Sequence, residues 1–400
     1  MSTTAPASPD ILGTPEGIAD PYPAYRALRD RSPVRYLRIP ASPVTGMSQP
    51  LYGFALLRHA DVLTALRDPA TFSSASYTMF KGIPQMALLH DDPPHHTQLR
   101  RLASKAFTAS RVAALAPWIT AIARGLLDSA GAGEVDFMAR FAVPLPVQVI
   151  GSMLGVPAAD QAALKGWSGA LVSYNGMPAA ERGPKLQQMM AYVDRMIAER
   201  RGARTDDMIS AFLDAEVDGV LLDDLEVRRL VVVLLVAGNE TTTNLIGNLT
   251  ALLADRPELW QRARDDRSLV EPLVHEALRF ESPVQRFPRL TTRAVEIGGV
   301  EIGAGELVDV FFGAALRDPA VFADPDTFLP DRGAGESVAF GMGIHHCLGA
   351  PLARLEATIA LNALLDRYPT LTRGAAPAER QAIAQVSLGY KVLPLALGRG

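Results

Sequence analysis

Cysteine is nearly missing from this 400-residue chain, in which Cys347 is the only one. A sole thiol excludes an internal disulfide and a multi-cysteine metal cluster, and it agrees with a reducing compartment. A surplus of positive charge is missing too. Lys and Arg total 39 against 43 Asp and Glu, a net charge of −4 with both signs dispersed. Nothing in that balance pulls towards nucleic acid. Long apolar runs are also lacking. The most apolar stretch, residues 230–236, falls far short of the about 20 residues that a bilayer span needs. Residues 1–9 show no basic segment leading into an apolar one, so no secretion signal or anchor is read there. The expectation is a cytoplasmic protein, a monomer, with no membrane or nucleic-acid partner. Repeats, low-complexity tracts and domain-separating linkers are absent as well. Residues 1–16 are therefore expected to be a disordered tail and residues 17–400 a single domain.

What is present is a 48% hydrophobic composition, ample for a large core. Residues 33–57 and 284–312 read as strand-rich. Val295-Glu296-Ile297-Gly298-Gly299-Val300-Glu301-Ile302 reads as a hairpin with a Gly-Gly turn. Between about residues 95 and 280 the apolar spacing is mostly helical. Two strand-rich stretches so far apart predict a sheet assembled late beside a helical body. That is a mainly α layout with a smaller β-sheet region (α+β).

The lone thiol sits in Phe340-Gly341-Met342-Gly343-Ile344-His345-His346-Cys347-Leu348-Gly349. One cysteine is enough to be an axial ligand to haem iron. Gly341 and Gly343 would let the backbone approach a flat cofactor, and Gly349 follows the thiol. Beyond it, Leu352, Leu355 and Ile359 recur with Pro351 in a tolerated place, so a helix is predicted to open here. Its first amides would favour thiolate over thiol. The arrangement Phe-Gly-x-Gly-x-His-x-Cys-x-Gly resembles the haem-binding signature of the cytochrome P450 family at every family-typical position. The resemblance implies the triangular, mainly helical P450 fold and haem b as cofactor. It further implies Cys347 as the metal ligand and Phe340, Gly341, His345 and Gly349 in the cofactor loop.

Leu230-Val231-Val232-Val233-Leu234-Leu235-Val236-Ala237 is apolar all round and reads as a helix through the middle of the protein. It gives way to Gly238-Asn239-Glu240-Thr241-Thr242-Thr243-Asn244. There Gly238 weakens a helix, and Thr241 can bond to the carbonyl of Ala237, opening or bending it. The plainer reading is a helix end with capping groups. The segment resembles the family's Ala-Gly-x-Glu/Asp-Thr motif. By that resemblance Thr241 helps to protonate dioxygen, a co-substrate, and Glu240 feeds protons inward.

Glu276 and Arg279, three apart, share a helix face. Pro325-Asp326-Thr327-Phe328-Leu329-Pro330-Asp331-Arg332 resembles the family's Pro-x-x-Phe-x-Pro-x-Arg segment, which implies a buried Glu276–Arg279–Arg332 triad holding the cysteine loop. Asp92-Pro93-Pro94-His95-His96-Thr97-Gln98-Leu99-Arg100 resembles the family's Asp-Pro-Pro-x-His-Thr-x-Leu-Arg segment. His96, Arg100, Arg289 and His345 are thereby implied as haem-propionate partners. A zinc site from His95, His96, His345, His346 and Cys347 is a rival reading.

The resemblance implies a monooxygenase that takes electrons from a ferredoxin or flavodoxin, with Arg101, Lys105 and Arg354 as docking cations. Alternatives are a haem-thiolate peroxygenase or isomerase and a non-catalytic haem sensor; neither has an evident need for Glu240 with Thr241. Substrate contacts are expected in residues 77–80, 83–88, 171–177, 234–237, 284–287 and 386–388. Their mostly apolar character suits a small to medium hydrophobic substrate.

Overall fold

The computed structural model describes residues 14–39, 51–79, 85–172, 177, 179–217, 219–333, 335–381 and 386–398. Thr14 caps a helix at Pro15–Ala19 by accepting from the Gly17 amide. Residues 15 and 16, placed in the tail by sequence, thus open an ordered element. The expected tail at residues 1–13, and parts of three expected substrate segments (77–80, 83–88 and 171–177), lie outside the described residues.

The five-stranded sheet joins the two strand-rich regions. Strands Val34–Ile39 and Leu51–Leu56 form an antiparallel pair. Leu307–Val310 then runs parallel to Leu51–Leu56, with Val308 opposite Phe54. Phe287–Thr291 pairs antiparallel on its other side, and Phe72–Ser73 closes the order. The Gly-Gly hairpin forms as read, Val295–Ile297 against Val300–Ile302.

Helices make up most of the rest of the core, joined by Leu371, Leu395 and Leu397 of a three-stranded sheet. The longest, Asp224–Ala254, is capped by the Asp223 carboxylate accepting from the Glu226 amide. It packs against helices Pro144–Met153, Gln161–Val172, Ala179–Gly202 and Ala350–Arg367. Among the described residues it is the one helix long and apolar enough to cross a membrane, yet most of it is buried inside the protein. Apolar residues on all its faces are what a helix at the centre of a core requires.

That central helix is continuous through Gly238, so the expected opening is not formed. The reason is packing: Ile150 of helix Pro144–Met153 lies 3.2 Å from where a Cβ of residue 238 would stand. The glycine brings two helices close rather than breaking one. Thr241 Oγ1 does donate to the Ala237 carbonyl, at 2.8 Å, and the helix runs on past it to Ala254.

Candidate active site

Along residues 230–254 of the central helix every residue is buried except Leu234, Ala237, Gly238 and Thr241. These fall at i, i+3, i+4 and i+7, a single helix face. A solvent-reachable face in mid-core means that the helix borders an interior cavity there. Thr241 therefore presents its hydroxyl side to open space. Glu240, one residue earlier, points about 100° away and is only 3% exposed. Lys165 Nζ holds both its carboxylate oxygens at 2.8 Å, and Ser168 Oγ donates to Oε1 at 3.1 Å. Asn239 Nδ2 donates to the same Ser168 hydroxyl at 2.9 Å. Glu240 and Thr241 thus belong to one turn but to two environments. Lys165 and Ser168, on helix Gln161–Val172, were not singled out from sequence.

The cysteine loop closes on itself. The Cys347 amide donates to the Phe340 carbonyl and the Gly341 amide to the Val338 carbonyl, each at 2.8 Å. Gly341 and Gly343 both have φ of 70°, the left-handed region that glycine enters freely. A side chain on Gly343 would also collide with the Leu66 carbonyl. These two glycines are therefore required by the loop's own course, not only by an approaching cofactor. Gly349 differs, since a Cβ added there would meet nothing within 4 Å. It caps helix Ala350–Arg367, which opens with Pro351 in its first turn, as the spacing predicts. Burial pushes the Cys347 thiol up in pKa, against the pull of the Gly349 amide, Arg100, the Ala350 amide and Arg354. The helix amides favour thiolate but do not outweigh desolvation unaided; a metal cation at sulfur would.

Around this loop the fold gathers the four cationic or imidazole side chains marked by sequence. His96 and Arg100 share a face of helix His95–Ser104, Arg289 comes from strand Phe287–Thr291, and His345 from the loop itself. The His96 and His345 rings stand 4.4 Å apart between centroids. His345 is less free than expected. Its Nδ1 meets the Leu88 carbonyl and its Nε2 the Ser74 hydroxyl, both at 2.9 Å. Burial, reinforced by Arg289 and His96, pushes its pKa down to about 3, and burial also lowers that of His96. Both imidazoles are neutral near pH 7; His96 has an N–H to offer, the N–H of His345 is taken by the Leu88 carbonyl, and the arginines carry the charge. Both His96 nitrogens are buried without a hydrogen-bond partner. Arg289 is buried and held down to a pKa of about 10 by desolvation, and its guanidinium is bonded only to the Pro288 carbonyl among the described residues.

The five residues of the rival zinc site are not brought together as ligands. His95 faces Glu226 at 3.3 Å, and His345 is engaged as above. No group of three or more His, Cys, Asp or Glu suited to a metal ion occurs among the described residues.

The buried triad is formed. Arg279 is bidentate to Glu276 at 2.7 and 2.8 Å, and Arg332 Nε approaches Glu276 Oε1 at 3.5 Å, an ion pair beyond hydrogen-bonding geometry. The three side chains also grip main chain. Arg279 donates to the Leu316, Pro325 and Thr327 carbonyls, and Glu276 accepts from the Leu329 amide. The segment they hold directly is thus residues 316–332, which leads into the cysteine loop.

Comparison with known proteins agrees with this layout. The family model described as Cytochrome P450 matches residues 171–393. The chain is 40% identical over 361 residues to the erythromycin C-12 hydroxylase of Saccharopolyspora erythraea, covering 88% of this chain and 91% of that one.

The chain belongs to the cytochrome P450 family.

The P450 is also 38% identical to the vitamin D(3) 25-hydroxylase of Pseudonocardia autotrophica, over 88% of its own length and 87% of the relative's. The solved P450 CYP109Q5 from Chondromyces apiculatus superposes with a TM-score of 0.87 at 36% identity, covering 97% and 98% of the two chains. The protein is a P450 monooxygenase with the mainly helical P450 fold. It uses a haem-thiolate iron cofactor and dioxygen, and takes electrons from a redox partner. The residues present fit haem: two unbonded imidazole nitrogens and a buried arginine with no ion-pair contact among the described residues, beside a lone thiol, are what a flat group with anionic edges would satisfy.

Proposed function

We propose that this P450 inserts one oxygen atom of O2 into a small to medium hydrophobic organic substrate, with Cys347 as the thiolate ligand of haem b. The observation that carries the reading is the meeting of the sole thiol with Arg100, Arg289 and the unbonded His96. Bound there, haem would supply the activation of dioxygen, consuming two electrons and two protons so that the second oxygen leaves as water. Cys347 supplies the thiolate. Arg100 and Arg289 supply charge to the propionates, His96 supplies an N–H group, His345 lines the same edge with its own N–H held by the Leu88 carbonyl, and Phe340, Gly341 and Gly349 shape the loop beside the ring. The Thr241 hydroxyl, at the cavity face, holds and passes a proton from Oγ1. Glu240, paired with Lys165 and Ser168, holds negative charge behind it and feeds protons inward, so the buried carboxylate never opens the cavity to bulk water. Relatives named for hydroxylation of erythromycin and of vitamin D(3) support an organic substrate of this kind.

The reduced wild-type protein under carbon monoxide is expected to show the thiolate-type Soret band; its absence would sink the reading. In Thr241→Ala, haem content and cofactor oxidation persist while peroxide replaces product, as an assay of both species measures. Fully coupled product formation would remove Thr241 from the relay. Glu240→Gln slows turnover more than substrate binding.

The electron donor we propose is a ferredoxin or flavodoxin, acting on a monomer in the cytoplasm. Support comes from Arg101, exposed on helix His95–Ser104, Lys105, exposed at the cap that ends that helix, and Arg354, whose guanidinium lies over the Phe340 ring at 4.9 Å. Arg101→Glu should slow reduction by such a donor by about tenfold at low salt, with the haem spectrum intact. An unchanged rate in stopped-flow measurement argues against docking there.

A further inference from the structure

The cavity face of the central helix continues beyond Thr241. Asn248 follows seven residues on, along the same line, and Asn244 stands beside it one turn from Thr241. Both are 0% exposed, and both carboxamides reach out of the helix to one segment. Asn244 Nδ2 donates to Ser387 Oγ at 3.0 Å, while its Oδ1 accepts from Gln381 Nε2 at 3.1 Å. Asn248 Nδ2 donates to the Leu388 and Glu281 carbonyls at 3.0 and 3.1 Å, and its Oδ1 accepts from Arg380 at 3.3 Å. Arg380 is itself bonded to both oxygens of Glu281.

Other bonds fix the same segment from behind. The Gln285 amide donates to the Val386 carbonyl at 2.8 Å, and the Leu388 amide to the Pro283 carbonyl at 2.9 Å. Gly389 lies so close to Asn244 that a Cβ there would overlap the carboxamide. The helix face that is open from Leu234 to Thr241 is therefore covered, one turn later, by Gln381 and residues 386–389. That cover is the end wall of the cavity, and its register is set by two asparagines. A buried carboxamide is tolerated only with its bonds met, so the wall is seated in one place.

We propose that Asn244 is a positioning residue for specificity: it fixes this end wall and so sets how far a bound molecule extends past Thr241. The proposal rests on the active-site reading above, and its test is read on haem-loaded protein that already shows the thiolate band. The probes are imidazole, which needs only the space at the iron, and 4-phenylimidazole, which reaches into the cavity; Soret titration gives both affinities. Asn244→Leu, similar in size but without hydrogen bonds, is expected to leave the carbon monoxide band and imidazole affinity unchanged. The affinity for 4-phenylimidazole should shift by about fivefold or more. Gln381→Leu with Ser387→Ala should reproduce the shift and add little to Asn244→Leu, because they remove the same bonds. No shift, or equal shifts for both azoles, overturns the proposal. If Asn244→Leu yields no haem protein, the Gln381→Leu/Ser387→Ala variant carries the same test with the central helix intact. A wild type without the thiolate band sinks the active-site reading instead.

Discussion

Cys347→Ala is expected to fold, to lose the thiolate-type band completely, and to turn over substrate only at background. The backbone bonds of the loop run through the Cys347 amide and the Phe340 and Val338 carbonyls, so removing sulfur leaves them in place. The truncation is small and the residue only half-buried, which limits the packing loss. What disappears is the single group able to donate electron density through sulfur to the iron. Circular dichroism checks the fold, and the reduced carbon monoxide difference spectrum checks ligation. Survival of the band in Cys347→Ala would overturn the assignment of the ligand, whatever the activity.

Glu276→Ala should be as damaging by a different route. It leaves Arg279, 3% exposed, and Arg332 without their shared carboxylate, and it frees the Leu329 amide. Removing one member of a buried charge network costs about 3–5 kcal/mol, a large part of the about 5–15 kcal/mol by which domains are stable. The segment released is residues 316–332, immediately ahead of the cysteine loop. Little haem-loaded protein is expected, with a lowered melting temperature in what is recovered. Glu276→Gln, which retains an acceptor, should fall in between. A normal ratio of haem to protein in Glu276→Ala would show that the triad does not support the loop.

The contrast between these two residues and Glu240 shows what could be read from sequence. Cys347 lies in a local pattern whose spacing is itself the signal. Glu276 and Arg279 are three apart, so helix geometry alone pairs them. Glu240 is legible as an acid beside a threonine, but its partner Lys165 is 75 residues away and belongs to no motif. Nothing local marks it. The same holds for Ser74, which holds His345, and for Gln381, which holds Asn244. Gly238 was misread for a related cause. Propensity argues for a weak helix at a glycine, whereas the close approach of Ile150 is a fact of tertiary packing that one-dimensional spacing does not contain. The strand-rich ends and helical middle, by contrast, follow from apolar periodicity and are found where expected.

The parallel pairing of Leu51–Leu56 with Leu307–Val310 has a consequence for synthesis. The first two strands leave the ribosome early as a hairpin with one edge open, and their partner arrives only when most of the chain has been made. Pairings of such long sequence separation form slowly, and an unpaired strand edge invites association with other chains. The nascent protein therefore carries an open strand edge through most of translation. The cysteine loop is synthesised only after Leu307–Val310, so the strand that covers the edge is available before the cofactor can be captured.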